Sequence, residues 1–206
     1  NEEVKDYTEF SINEDELRSI VDGELSKLYS NQKYLRGLFT GGTLADEAMK
    51  LLSSEVGDIY SNIPLSPEYK LKDINTSIEN TIIDLGEDEF TVGKPHPMIE
   101  PMSRVDRIVK EARNSEVGII LMDFVLGYGS NDDPVGAMLP SIEKAKAIAK
   151  ENGNELSIIA SICGTENDPQ DYDNSKLRLE EHGVIVMPSN AQAVRLAAKI
   201  LKNLNK

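Results

Sequence analysis

His96 is one of two histidines in the chain and stands between two prolines in GKPHPMIEP, residues 93–101. Proline fixes its own φ and pushes the residue before it into extended backbone, so this stretch is a stiff loop and not a helix. A neutral imidazole near pH 7 held in such a loop suits a general base or a phosphoryl acceptor. The alternative is a loop that fixes a domain or subunit contact. Asp123 ends the apolar run VGIILMD, where a carboxylate can hold a histidine, a metal or a hydroxyl, or simply accept from turn amides. Gly41, Gly42 and Thr43 precede a helical pattern. Glycines there let backbone N–H groups approach an anion at the positive end of the helix dipole. The same residues also make an ordinary βα turn with a Thr cap, and no Lys follows in P-loop spacing.

Three further segments end strand-like runs: Cys163-Gly164-Thr165, Ser189-Asn190 after GVIVM, and Leu85-Gly86 after TIID. Gly164, Thr165, Ser189 and Asn190 join Gly41–Thr43 as candidate anion or substrate contacts. Cys163 reads as a small buried hydrophobe rather than a nucleophile. His182, before Gly183, reads as a cation at a helix C-terminus. Neither histidine shares metal-site spacing with the cysteine, so no metal is expected.

These residues need a scaffold, and the pattern supplies one. Strands are expected over 33–39, 56–62, 80–86, 117–123, 156–162 and 183–187. Helices are expected over 43–54, 103–114, 135–152, 174–182 and 190–204, preceded by one over 14–30 that Asn13 and Glu16 start as a capping box. Short continuous apolar runs such as IILM and SIIAS belong to strands buried on both faces. Strand–helix alternation then predicts a doubly wound α/β fold with a mostly parallel sheet, whose ligands bind beyond the carboxyl ends of the strands. Residues 1–30 are read as a linker and an N-terminal helix, 31–206 as the domain, and 62–80 as a connecting excursion.

The chain has 206 residues and a formal net charge of −14, which disfavours nucleic acid and anionic membrane as partners. A single cysteine excludes an intrachain disulfide and fits the cytoplasm. No apolar run has the length of a membrane span. The acidic start NEEVKDYTEF resembles no targeting peptide and lacks a Met, so the chain reads as a fragment or a processed product.

RGLFTGGTLADEA, GEDEFTVGKPHPMIEP, ILMDFVLGYG, ASICGTENDPQ and GVIVMPSNAQAVRLA together resemble the C-terminal part of the FdrA proteins, over about residues 30–204. These are relatives of the α subunit of succinyl-CoA synthetase and other NDP-forming acyl-CoA ligases. The resemblance implies a flavodoxin-like ligase domain, with CoA and a nucleotide in the family's chemistry. In the synthetases a histidine in a GHAGA loop carries phosphate. The matching stretch here, CGTENDPQDYDNSKLRLEE, has neither that histidine nor that loop, while Asp123 falls at or beside the Glu that holds it. The CoA-binding domain that precedes this one in the family has no counterpart here, since no GxGxxG follows a strand. The resemblance thus implies an upstream CoA-binding domain on the same or a partner polypeptide, in a homo-oligomer or hetero-complex. It leaves three functions open: acyl-CoA-synthetase-like ligation, carbamoyl transfer involving oxamate and carbamoyl phosphate in ureide or purine catabolism, and a non-catalytic assembly role.

Overall fold

The computed structural model describes residues 8–204. Residues 1–7 of the expected linker lie outside the described residues. Beyond them, Phe10 and Ile12 pack on the protein, and Ser11 binds the Gln192 carboxamide through its N–H and its hydroxyl, both at 3.0 Å. Helix α1 (Glu14–Leu25) starts where Asn13 accepts from the Glu16 N–H, as the capping signal requires, and ends before residue 30. The chain then turns, and Gln32 donates to the carbonyls of Val117 and Glu155.

The strands are β1 (Tyr34–Phe39), β2 (Tyr60–Ser61), β3 (Thr81–Asp84), β4 (Val117–Val125), β5 (Ser157–Cys163) and β6 (Val184–Met187). They form one parallel sheet in the order β2-β3-β1-β4-β5-β6. Without the two-residue edge strand β2 this is the flavodoxin order, so the doubly wound parallel fold read from the alternation is the one observed. The strand expected over 56–62 shrinks because helix α2 (Gly42–Val56) runs on until Gly57 breaks it at φ 89°.

Both faces of the sheet are covered. Ile120, Met122 and Phe124 of β4 meet α4 (Met102–Glu111), α5 (Pro134–Glu151) and α6 (Tyr172–Glu181). Ile119 and Leu121, alternating with them, meet α1, α2 and α7 (Asn190–Leu204). The period of two along a strand is what sends neighbours to opposite cores. A short helix, α3 (Asp88–Thr91), interrupts the connection from β3 to α4 and had no sequence signal.

At the amino end of the sheet, Arg36 is buried against Glu111 at 2.8 Å, and Arg107 reaches the same carboxylate at 2.6 Å. Arg107 also donates to Ile74 O and the Ser77 hydroxyl, which pins the 62–80 excursion to α4. Burial works against the charged form of Glu111. The two guanidinium groups outweigh it and hold the carboxyl below its ordinary value.

Candidate functional site

Because every strand points the same way, all the segments that follow strands lie on one edge. Gly42 after β1 and Gly164 after β5 therefore share it. The switch point of the sheet is at β1, which has β3 on one side and β4 on the other. Crevices form there because the chain leaves neighbouring strands in opposite directions.

Asp123 closes the floor of this crevice. It is fully buried, and its carboxylate accepts from the Thr40 N–H at 2.9 Å and from the Thr40 hydroxyl. Arg104 of α4 lies 3.4 Å from the same carboxylate and donates to the carbonyls of Asp123 at 2.6 Å and Leu38 at 3.1 Å. Of the roles open to Asp123, the observed one is to hold a hydroxyl and a turn amide. It locks the end of β1 to β4.

The open part of the crevice lies beside it, between the ends of β1 and β3. Gly41 caps α2 in extended backbone, and no side chain caps the first turn. Facing that turn is Asp84, the last residue of β3, only 2% exposed. Its Oδ2 lies 3.1 Å from where a Cβ on Gly42 would stand, and its Oδ1 accepts from the Gly86 N–H at 2.8 Å. Asn62 brackets its backbone, donating to Asp84 O and accepting from Asp84 N–H. Burial pushes the Asp84 carboxyl above its ordinary value, the Gly86 N–H opposes this, and the charge of Glu87 adds to it.

His96 completes the group. A Cβ on Gly86 would stand 2.5 Å from His96 Nε2, 2.6 Å from Thr40 O and 3.1 Å from Asp84 Oδ1, so the three converge on one glycine. The Met98 N–H donates to His96 Nδ1 at 3.2 Å. That contact favours the neutral tautomer with its proton on Nε2, so the ring presents an N–H donor to the crevice.

The loop that carries His96 is tied to its neighbours. Asn131 donates through its backbone N–H to Met98 O and through its side chain to Ile99 O, both at 2.8 Å. Gln170 in turn donates to Gly127 O, Asn131 O and the Ser130 hydroxyl, and accepts from the Gly127 N–H. The 93–101, 126–134 and 163–171 segments are thereby laced together. Gly164 and Thr165 belong to the last of these. A Cβ on Gly164 would meet Leu126 at 2.8 Å, and the Thr165 N–H donates to Asp168 at 2.6 Å.

Ser189 and Asn190 lie beyond β6. Ser189 accepts from the Gln192 N–H, and Asn190 donates to Leu44 O and to Glu47, joining α7 to α2. Cys163 is exposed, contrary to the buried hydrophobe expected: it ends β5 at the carboxyl edge of the sheet, paired with Val125 of β4 but two residues past the last β6 pairing, Ser161 with Met187. His182 caps α6 at its C-terminus and pairs with Glu143 at 3.2 Å. That end faces the amino edge of β6, away from the crevice.

The crevice thus gathers Gly41, Gly42, Asp84, Gly86 and His96, with Asp123 behind them. Asp84 was not singled out from the sequence. Its signal was the one that marked Asp123, a carboxylate closing an apolar run, although β4 continues past Asp123 to Val125 while Asp84 does end β3. Among the described residues no group of three or more His, Cys, Asp or Glu is placed to hold a metal, and no helix is long and apolar enough to cross a membrane.

Residues 38–200 match the family described as CoA-ligase. The uncharacterized protein YahF of Escherichia coli (strain K12) is 48% identical over 176 residues, covering 85% of this chain and 34% of YahF. The chain therefore spans about a third of that relative's length. The crystal structure of PH0766 from Pyrococcus horikoshii OT3 aligns with a TM-score of 0.44 at 12% identity, over 88% of this chain and 40% of that one.

Proposed function

Since the chain belongs to the CoA-ligase family, we propose that it is the ligase-like domain of an FdrA-type, acyl-CoA-synthetase-like protein in which His96 replaces the loop histidine as the titratable group. The convergence of His96 Nε2, Asp84 Oδ1 and Thr40 O on Gly86, beside the uncapped first turn of α2, carries this reading. The stretch that matches the family's phosphohistidine loop holds no histidine, and His182, which follows it at the far end of α6, supports the reading by lying away from this edge.

The uncapped amides of α2 fit the phosphoryl or carboxylate group that a nucleotide or acyl substrate would bring. CoA and nucleotide supply thioester and phosphate chemistry in the family. In this chain His96 donates from Nε2 to a substrate oxygen, and Asp84, already inclined to hold a proton, receives or returns one. Val92, Ile99 and Tyr128 stand exposed on the surrounding loops, and Met102 at the start of α4. They support docking of a CoA-binding domain, from the same or a partner polypeptide, over this edge.

The tautomer favours a second reading. Accepting a phosphoryl group at Nε2 needs the lone pair there, which the Met98 contact disfavours. Carbamoyl transfer between carbamoyl phosphate and oxamate needs donors that hold anions and no histidine shuttle.

The test uses the complete protein with its upstream region. His96→Ala and His96→Asn are each expected to lower turnover by about 10²–10⁴-fold with the melting temperature retained. Acyl-CoA formation that requires a nucleotide selects the first reading, and conversion of oxamate with carbamoyl phosphate selects the second. Near-normal turnover in both variants overturns the role of His96. Silence in both assays with tight subunit binding leaves an assembly domain.

A further inference from the structure

A cavity lies between the connection that carries His96 and α4. Ser103, Asp106, Arg107 and Lys110 recur at spacings that put them on one face of α4, and they form one wall. Leu85, Phe90 and Lys94 close it around a volume of about 190 Å³. Leu85 directly precedes Gly86 and Lys94 comes two residues before His96, so this cavity and the crevice share the β3–α4 connection as a wall.

The charge of the lining runs against that of the molecule. In a chain of net charge −14, this cavity has three cations and one anion, Asp106. Two of the cations are already engaged. Arg107 is bound to Glu111, Ile74 O and Ser77, and Lys110 donates to Asn75 O. Among the described residues, Lys94 and the Ser103 hydroxyl make no side-chain hydrogen bond or ion pair. Lys94, exposed at the rim, and Ser103 therefore line the cavity without partners among the described residues, together with the half-buried Phe90 ring, while Leu85 beneath is 1% exposed. A group of this kind recognises a ligand that is anionic at one end and apolar at the other. A metal ion is repelled by the cations, and a neutral apolar ligand leaves the ammonium and hydroxyl unused.

We propose that this cavity binds a small organic anion, its carboxylate or phosphate held by Lys94 and Ser103 and its apolar part lying on Phe90. The site is separate from the crevice, and its test reads binding alone, so its failure leaves the reading of His96 intact.

Phenyl phosphate is titrated into the protein with detection by calorimetry and by backbone amide shifts. Saturable binding is expected, with shifts in residues 85–94 and 103–107. Lys94→Gln and Ser103→Ala are each expected to weaken it about fivefold to tenfold. Asp106→Asn is expected to strengthen it, and added salt to weaken it. All three positions are exposed or half-buried, so the variants fold. No binding at millimolar phenyl phosphate overturns the proposal, as does binding that Lys94→Gln leaves unchanged. Inorganic phosphate binding as tightly as phenyl phosphate overturns the assignment of Phe90.

Discussion

Gly86→Ala puts one methyl group at the point where the crevice's polar atoms meet. The new Cβ would stand 2.5 Å from His96 Nε2 and 2.6 Å from Thr40 O. Comfortable contact between heavy atoms begins near ~3.5 Å, so both neighbours must give way by about an ångström. They differ in how easily they can. The imidazole is half-buried on a loop and can swing outward. The Thr40 carbonyl cannot, because the Thr40 N–H and hydroxyl are both held by buried Asp123. Overfilling a packed site costs about 1–3 kcal/mol, which for a chain of this size is a fall in Tm of about 2–12 °C. A double-mutant cycle separates the two neighbours. If the ring bears part of the clash, Gly86→Ala in a His96→Ala background costs less than in the wild type, by about 0.5 kcal/mol or more. The part that remains belongs to Thr40. Urea unfolding of the four proteins measures each corner. A neutral Gly86→Ala, or a strictly additive cycle, would refute the convergence of His96 on this glycine and with it the geometry of the crevice.

Glu111→Ala should destabilise by about 3–5 kcal/mol in urea, because it strands the buried Arg36 and Arg107, and a loss under 1 kcal/mol would contradict that. Since the folded carboxyl of Glu111 lies below its ordinary value, its contribution is complete above that value and disappears as pH falls through the folded one, so a Glu111→Gln variant should lose less stability than the wild type on acidification. Asp84 has the opposite sign: its folded carboxyl is raised, so the native state holds the proton more tightly and stability falls as pH rises from the ordinary value through the folded one. Asp84→Asn keeps an acceptor for the Gly86 N–H and removes that cost, so its Tm at pH 7 should equal or exceed the wild type's while turnover of the complete protein drops, and a lower Tm would refute the assignment.

The scaffold was legible because its signals are local. Buried runs in β4 and β5, the Asn13–Glu16 cap and the apolar stripe of α7 each depend on a few adjacent residues, and each element starts within a residue of where its pattern placed it, although α1 ends five residues early and β4 runs two residues further. The crevice was legible only to the level of its edge. Asp84 and Asp123 carry the same signal, and the sequence gives no sign that Arg104, from a helix, would reach across to fill the space around Asp123. That long-range contact decides which carboxylate is enclosed and which faces the turn of α2. Asn131 and Gln170 were missed for the same reason: their bonds join segments about 30 to 40 residues apart. Cys163 failed differently. The apolar pattern holds through Ile162, and exposure begins one residue later, at the last residue of β5, beyond the reach of its β6 neighbour.

The polar groups around Gly86 constrain what binds there. The first turn of α2 attracts negative charge, yet Asp84 already stands at its mouth, so an anion placed directly against Gly42 meets a carboxylate at close range. The turn alone is therefore a poorer anion site than the spacing of Gly41, Gly42 and Thr43 suggests. Two arrangements relieve the conflict. In one, Asp84 takes up a proton, which its burial already favours, and then donates to the incoming anion. In the other, the group beside Asp84 is itself a donor. A carboxamide or carbamoyl group meets that condition, since its oxygen accepts from His96 Nε2 and its N–H₂ donates to Asp84, leaving the amides of α2 for an anionic group further along the substrate. The two arrangements differ in their proton balance: the first takes up a proton on binding above the pKa of Asp84 and the second does not. Calorimetry of the complete protein in buffers of different ionisation enthalpy separates them, and proton uptake would rule out the carboxamide arrangement.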